Sequence, residues 1–450
     1  MKTNRRSFIL SAFASAPVLF LPGRALAALG KPLLRFGVVS DIHITAADDG
    51  TLRTPDNLDT FLEALRYFDR MGADAVVVAG DMANDGRVAE LLAVGKAWDS
   101  VFPGGKGADG RPVEKVFVYG NHDPARWERI NTHGERLIAD DLAAPWQAAF
   151  HEPFAPVYVK SVKGYDFIGV HWGNETKAAA KIDEVGRKGK VFFHVQHPHV
   201  KGTVYGGHVW GQDNGASFKA LAKYPKAISF SGHSHTPLSD EQSIWQGEFT
   251  ALGTASLRYL SVSSCRNFQF PRGYENGHAS GRTAAPADSD KTKLMRDENY
   301  RTNRREGYLV SVYADEIVFT RREFVSGTPV GEDWVMPLDG TRPFALSARL
   351  AKGSAPEFAA GAKLTVTRTE ARRRGGKKGE EIPAWKLDFP PAKDAYEYEI
   401  TGTGPDGRPV VSWVVETKES VLLAADRFAS ENVRFSVVPV DSLGRRGHAL

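Results

Sequence analysis

The chain has 450 residues, 42% of them hydrophobic and 25% charged. That length allows two or three domains at roughly 150 residues each, and the composition excludes collagen-like, coiled-coil and wholly disordered chains. A single cysteine, Cys265, excludes a disulfide framework and a cysteine-rich zinc module. The net charge of +4 is matched by Lys2, Arg5, Arg6 and Arg24 alone, so the rest of the chain is neutral overall and marks no nucleic-acid or membrane-surface partner.

Residues 1–27 read as an export signal. The adjacent pair Arg5-Arg6 is followed by Ser7-Phe8-Ile9-Leu10, an apolar run to about Leu21, and the small-x-small pattern Ala25-Leu26-Ala27. The segment resembles a twin-arginine signal, which implies passage of an already folded protein through the twin-arginine machinery to the periplasm or beyond. No later stretch approaches roughly 18 uninterrupted apolar residues, so no transmembrane helix is expected in the mature chain.

From Leu33 to about residue 260, buried strand and helix alternate. Phe36–Val39 is a short apolar run of strand type. Leu58, Phe61, Leu62, Leu65 and Phe68 recur at helical spacing, with Gly72 as a stop. Ala75–Val78 is the next strand, Val88 to Trp98 the next helix, and Val116–Tyr119 a third strand. Further runs stand at Phe167–Val170, Val191–Val195 and Ala227–Phe230. This is an α/β chain with a parallel or mixed sheet core. Residues 262–306 read as a long irregular insertion, and Gly307 to Phe324 returns to strand alternation. Beyond about Ala351 come short strands at Leu364–Val366, Trp385–Leu387, Tyr396–Ile400, Val410–Val415 and Val433–Val440, the rhythm of a small β-sandwich. That module, placed at 355–450, resembles a fibronectin type III domain. The basic run from Arg372 to Lys378 reads as a solvated hairpin loop.

Five clusters of polar residues follow predicted strands. They are Asp41-Ile42-His43, Gly80-Asp81, Gly120-Asn121-His122-Asp123, Gln196-His197-Pro198-His199 and Gly232-His233-Ser234-His235. In open α/β sheets the loops beyond the strand carboxyl ends converge on one crevice. Carboxylates, imidazoles and an amide without cysteine suit divalent manganese, zinc or iron. Seven donors exceed the needs of one ion, and two ions roughly 3.5–4 Å apart would use them all if one carboxylate bridges. For the fourth cluster, His194, Gln196, His197 and His199 all stand close enough in sequence to contribute, with His197 preferred.

The order Asp-x-His, Gly-Asp, Gly-Asn-His-Asp, His, Gly-His-x-His resembles the calcineurin-like metallophosphoesterases over residues 31–345. The resemblance implies a four-layer α/β/β/α sandwich, here followed by the small all-β sandwich. It implies one metal site made of Asp41, His43, Asp81 and His235, and another made of Asp81, Asn121, His197 and His233. It implies hydrolysis of a phosphomonoester or phosphodiester by a metal-bridging hydroxide, with His122 protonating the leaving group. Asp123, adjacent in sequence, is expected to support His122. Asn84 stands where the purple acid phosphatase branch carries tyrosine, which disfavours that branch.

Taken singly, each cluster is a turn with surface polar residues. His171, His133, His151, His208 and His278 read as structural or surface histidines, and Trp172, Trp210 and Trp245 as core. Arg258, Arg266 and Arg272 could reach a phosphate or lie as surface charges. The substrate could be a nucleotide, pyrophosphate or phospholipid. The competing function is a catalytically inactive metal-bearing scaffold attached through the C-terminal sandwich.

Overall fold

The computed structural model describes residues 30–47, 49–124, 142–204, 211–261, 301–372, 381–407, 409–415, 421–428 and 431–450. The export-signal reading, most of the insertion, and His133, His208, Trp210, Arg266, Arg272 and His278 lie outside the described residues. In chain order the N-terminal part runs β1 (Leu34–Val39), α1 (Pro55–Arg70), β2 (Ala75–Ala79), α2 (Val88–Val101), β3 (Glu114–Val118), α3 (Ala143–Phe150), β4 (Val157–Val162), β5 (Tyr165–Val170), α4 (Ala179–Gly186), β6 (Phe192–Gln196), α5 (Ala216–Leu221), β7 (Ala227–Ser231), β8 (Ile244–Gln246), β9 (Thr250–Gly253), β10 (Leu260–Ser261), β11 (Arg301–Thr302), β12 (Glu306–Val312), β13 (Glu316–Glu323), β14 (Trp334–Pro337) and α6 (Leu346–Leu350). No helix among the described residues is long and apolar enough to cross a membrane.

Two six-stranded mixed sheets pack face to face. One has the order β14-β13-β12-β1-β2-β3 and the other β4-β5-β6-β7-β9-β8. In the first, β1, β2 and β3 are parallel and β12–β14 run antiparallel beside β1. In the second, β5, β6, β7 and β9 are parallel, with antiparallel strands at both edges.

Alternation along each strand assigns the layers. Phe36 and Val38 of β1, Val77 of β2, Phe193 and Val195 of β6 and Phe230 of β7 share the core between the sheets. Val39, Val76 and Val78 face the other way, onto Phe61, Leu65 and Phe68 of α1 and Leu91, Val94 and Trp98 of α2. Ile168, Val170 and Phe192 turn outward from the second sheet onto Ile182 and Val185 of α4. The result is the α/β/β/α layering expected. Both faces of the central strands are covered, so in sequence they read as unbroken apolar runs.

The C-terminal part adds β15 (Thr365–Arg372), β16 (Glu381–Asp388), β17 (Glu397–Thr403), β18 (Pro409–Val415), β19 (Val421–Ala424) and β20 (Arg434–Val440). They form two antiparallel sheets, β15-β16-β19 and β18-β17-β20. Leu387, Val421 and Leu423 of one and Tyr398, Ile400 and Val437 of the other share a core. Arg372 pairs with Glu381, so β15 and β16 form a hairpin whose tip, 373–380, lies outside the described residues. Gln242 Nε2 donates to the Ser442 carbonyl at 2.7 Å, tying this module to the N-terminal part. Pro32–Leu450 cluster as one unit.

Phe36 is fully buried, with edge-on ring contacts to Phe167 at 5.1 Å and Phe193 at 4.8 Å. Phe36→Ala removes the ring that joins the sheets and is expected to cost about 3–5 kcal/mol. Urea unfolding followed by circular dichroism checks this. A loss below about 1 kcal/mol, the range of a surface change, would place the centre of the core elsewhere.

Candidate metal centre

β1, β2, β3, β6 and β7 all end at the same edge of the two sheets, and each hands its polar cluster to that edge. Backbone hydrogen bonds stitch the loops together. The Asp41 N–H donates to the Gly80 carbonyl at 2.9 Å, the His43 N–H to Asp81 at 3.0 Å, and the Gly232 N–H to His197 at 3.0 Å. Asp41, His43, Asp81, His233 and His235 all take positive φ, between 51° and 75°. Left-handed backbone at non-glycine residues costs of order 1–3 kcal/mol each and collects at functional sites. Each sharp turn swings a donor side chain back over the strand end. Two glycines make room for the carboxylates: a Cβ on Gly120 would lie 2.3 Å from Asp81 Oδ1, and one on Gly232 would lie 2.5 Å from Asp41 Oδ2.

Asp41, His43 and His235 offer ligand atoms that all lie within 4.8 Å of one another, as do those of Asp81, His197 and His233. His235 Nε2 is 3.1 Å from Asp41 Oδ1 and 3.1 Å from His43 Nε2. His197 Nε2 is 3.1 Å and His43 Nε2 is 3.6 Å from Asp81 Oδ2, so Asp81 stands between the two groups. The His122 N–H donates to the other oxygen, Oδ1, at 2.8 Å.

Both aspartates are buried and face histidines, with no lysine or arginine paired to them among the described residues. Burial alone would raise the Asp41 carboxyl, yet His235 and His43 beside it hold it well below the usual carboxylate range. Asp81 is likewise held low against burial, by His197 and His43. His43 and His233 are pushed down by burial, to about 4 and about 3, and so present neutral imidazoles. Burial also acts to lower His197, but the Asp81 charge outweighs it and carries the imidazole up to about 9. The negative charge that draws a proton onto His197 draws any cation. Metal and proton compete for such lone pairs.

The donor set fits divalent metal on a further ground. Among the described residues, Asn121 Oδ1 is buried without a hydrogen-bond partner, and His197 Nε2 has the approach to Asp81 Oδ2 alone. Orphaned buried polar atoms cost free energy unless something satisfies them. The Ala79 carbonyl accepts from His197 Nδ1 at 2.7 Å, which leaves Nε2 turned to the centre. The other residues of that cluster are engaged elsewhere. His199 contacts Ser231 Oγ through Nδ1 and Ser234 Oγ through Nε2, both at 2.7 Å. Gln196 bonds Pro198 and Ser217, and His194 Nδ1 meets Ser229 Oγ.

The support of His122 differs from the expectation that Asp123 supplies it. Asp123 is fully buried, and its two oxygens accept from the N–H groups of Ala83 and Gly120, each at 2.6 Å. It clamps the loops after β2 and β3 to one another. Burial, with Asp81 nearby, pushes its carboxyl up to about 8. The His122 ring instead places Nδ1 2.8 Å from the Asn84 carbonyl. A carbonyl only accepts, so Nδ1 carries the hydrogen.

Several supporting residues carried no sequence signal. Ser40 Oγ donates to Asp41 Oδ2 at 2.5 Å, and Ser256 Oγ to the Asp41 carbonyl at 3.1 Å. Asn57 Nδ2 donates to the His43 carbonyl at 3.0 Å. The Tyr259 carbonyl lies 3.1 Å from His235 Nδ1. Trp172 stands beside the centre, its ring 5.2 Å from that of His233. His171 packs among Tyr119, Trp146 and Phe154, accepts the Tyr119 N–H, and is in neither candidate metal group. Trp245 packs on Phe249, in the outer layer of the second sheet, and His151 is exposed beside Asp99.

The calcineurin-like phosphoesterase family model matches residues 34–237, which include all nine predicted site residues. These residues form a calcineurin-like phosphoesterase domain. Its sheet continues beyond the match, since β12–β14 lie downstream. Similar solved structures include a dimetal phosphatase from Danio rerio, 13% identical over 68% of this chain and 99% of that one, TM-score 0.37. Purple acid phosphatase PPD1 from yellow lupin is 12% identical over 68% of this chain and 53% of that one, TM-score 0.43. GAP50, the anchor in the inner membrane complex of Plasmodium, is 11% identical over 69% and 90%, TM-score 0.39. No curated protein matches the chain.

Asp123→Asn tests the clamp. A carboxamide offers an acceptor to one backbone N–H and opposes the other with its own NH₂, so a stability loss of about 1–3 kcal/mol is expected. The alkaline limb of the pH–rate profile, where His122 loses its proton, should stay where it is, because the Asn84 carbonyl still holds the His122 ring. A moved alkaline limb at unchanged stability would return Asp123 to the support of His122.

Proposed function

We propose that this protein is an exported, two-metal phosphoesterase that hydrolyses a small-molecule, nucleotide or lipid phosphoester. The observation that carries the reading is the pair of buried aspartates enclosed by imidazoles and an unsatisfied amide oxygen, inside a calcineurin-like phosphoesterase domain. Asp41, His43, Asp81 and His235 would hold one ion. Asp81, Asn121, His197 and His233 would hold the other. When bound, divalent manganese, zinc or iron supplies positive charge to the phosphate oxygens and hydroxide at neutral pH.

The residues of the chain do the rest. Asn121 contributes an oxygen without charge, which keeps the centre cationic and attractive to an anionic ester. His122, fixed through Nδ1 on the Asn84 carbonyl, would, when protonated, give its proton to the departing oxygen. Asp81 accepts the backbone N–H of His122 and so holds the acid at a set distance from the centre. The twin-arginine-type segment, residues 1–27, supports export to the periplasm or the medium, after folding and metal loading. The module at 355–450 is read as fibronectin type III-like, with a structural role.

The test pairs metal removal with two substrates. Stripping the purified protein with a chelator should abolish hydrolysis of 4-nitrophenyl phosphate and bis-4-nitrophenyl phosphate, and one of manganese, zinc or iron should restore at least one of them. His122→Asn should keep its metal and lose roughly 10²–10⁴-fold in kcat. A metal-loaded protein inert toward both esters would favour the scaffold reading.

A further inference from the structure

Several little-exposed arginines in this protein are paired with carboxylates. Arg111 meets Asp69, Arg321 and Arg349 meet Glu241, Arg445 meets Asp441, and Arg446 meets Glu399. Among the described residues Arg258 is not so paired, nor are Arg35, Arg305 and Arg322; of these four, Arg258 is the one tied to Asn84, the residue that holds His122. Its Nη1 donates to Asn84 Oδ1 at 2.6 Å, and its Cζ lies 5.6 Å from the centroid of the Tyr259 ring. Among the described residues no carboxylate neutralises it. A planar guanidinium with N–H groups to spare is a ready partner for phosphate oxygens.

Its place in the site is defined by its neighbours. The Arg258 N–H donates to Ser256 Oγ at 2.9 Å, and the same hydroxyl donates to the Asp41 carbonyl, so its backbone is tied to the loop after β1. Asn84 joins Arg258 to His122: its side-chain oxygen takes the guanidinium, and its carbonyl takes His122 Nδ1. Tyr259, the next residue, lays its ring 4.4 Å from that of His235. Arg258 therefore stands at the rim on the side of His122, the group that faces the departing oxygen. Trp172 marks the other flank, beside His197 and His233.

We infer that Arg258 is a specificity residue that receives an anionic leaving group, so that the preferred substrate carries a second phosphate next to the bond being cleaved, as in a phosphoanhydride. The inference rests on the phosphoesterase reading and refines it. Hydrolysis places the water oxygen on phosphorus and breaks the bond to the bridging oxygen, which leaves with the electron pair and takes a proton from His122. The phosphate that departs carries its charge toward Arg258 and Asn84, where a neutral alcohol offers the guanidinium an acceptor but no charge.

Binding of two non-hydrolysable probes tests this apart from turnover. Calorimetry on the metal-loaded full chain would compare methylenediphosphonate, which bears the second anionic group, with phenylphosphonate, which does not. Arg258→Ala should weaken methylenediphosphonate by roughly tenfold or more beyond any loss for phenylphosphonate, the scale of a charge-assisted contact. Arg258→Lys keeps the charge but not the fork, and should fall between the two. Circular dichroism and melting of both variants separate misfolding from lost recognition. Equal loss for the two probes, or none for either, overturns the inference and leaves Arg258 as a support for Asn84. Hydrolysis of 4-nitrophenyl phosphate by the parent protein reports on the phosphoesterase reading independently.

Discussion

Two carboxylates, Asp41 and Asp81, sit out of water, and among the described residues imidazoles are the side chains that face them as ion partners. A buried charge is expensive unless an opposite charge and hydrogen bonds compensate it. Here the hydrogen bonds are present and the fixed cations are not. Ser40 and two backbone N–H groups satisfy part of the carboxylate oxygens. His43 and His233 are held neutral by their own burial. The arrangement is therefore completed by mobile cations, and protons and metal ions are the two kinds that can reach it.

The surrounding architecture serves that constraint. Parallel strands in two facing sheets end at a common edge, so loops from β1, β2, β3, β6 and β7 can each deliver one or two donors. Left-handed backbone at Asp41, His43, Asp81, His233 and His235 aims those donors inward. The strain this stores is offset by the dense core between the sheets and by the cross-loop hydrogen bonds of Asp123, Asn57 and Ser256. Binding of ions would return part of that cost, which makes stability and metal content linked quantities.

Much of this was legible in the chain itself, for a physical reason. The donors occupy short turns directly after apolar strands, so strand, turn and ligand appear side by side in sequence. The central strands were plain because both faces are buried. The edges were harder: β4 is half-exposed, β8 is three residues long, and β14 ends in a proline, so none gives a strong run. β19 in the C-terminal module is similarly short. Contacts between distant segments left no trace at all. Asp123 is the neighbour of His122 in sequence, yet the ring is held by Asn84, 38 residues earlier. Arg258 reaches the site across 174 residues to the same asparagine. Four residues could have filled the place of His197, and only the direction of each ring or amide, set by Ala79, Ser229, Ser231 and Ser217, separates them.

Anomalous scattering from crystals of the full chain grown with manganese addresses the central claim most directly. The account predicts two peaks roughly 3.5–4 Å apart, with Asp81 between them. One should be contacted by Asp41, His43 and His235, and the other by Asn121, His197 and His233. A single peak, or peaks away from Asp81, would contradict it.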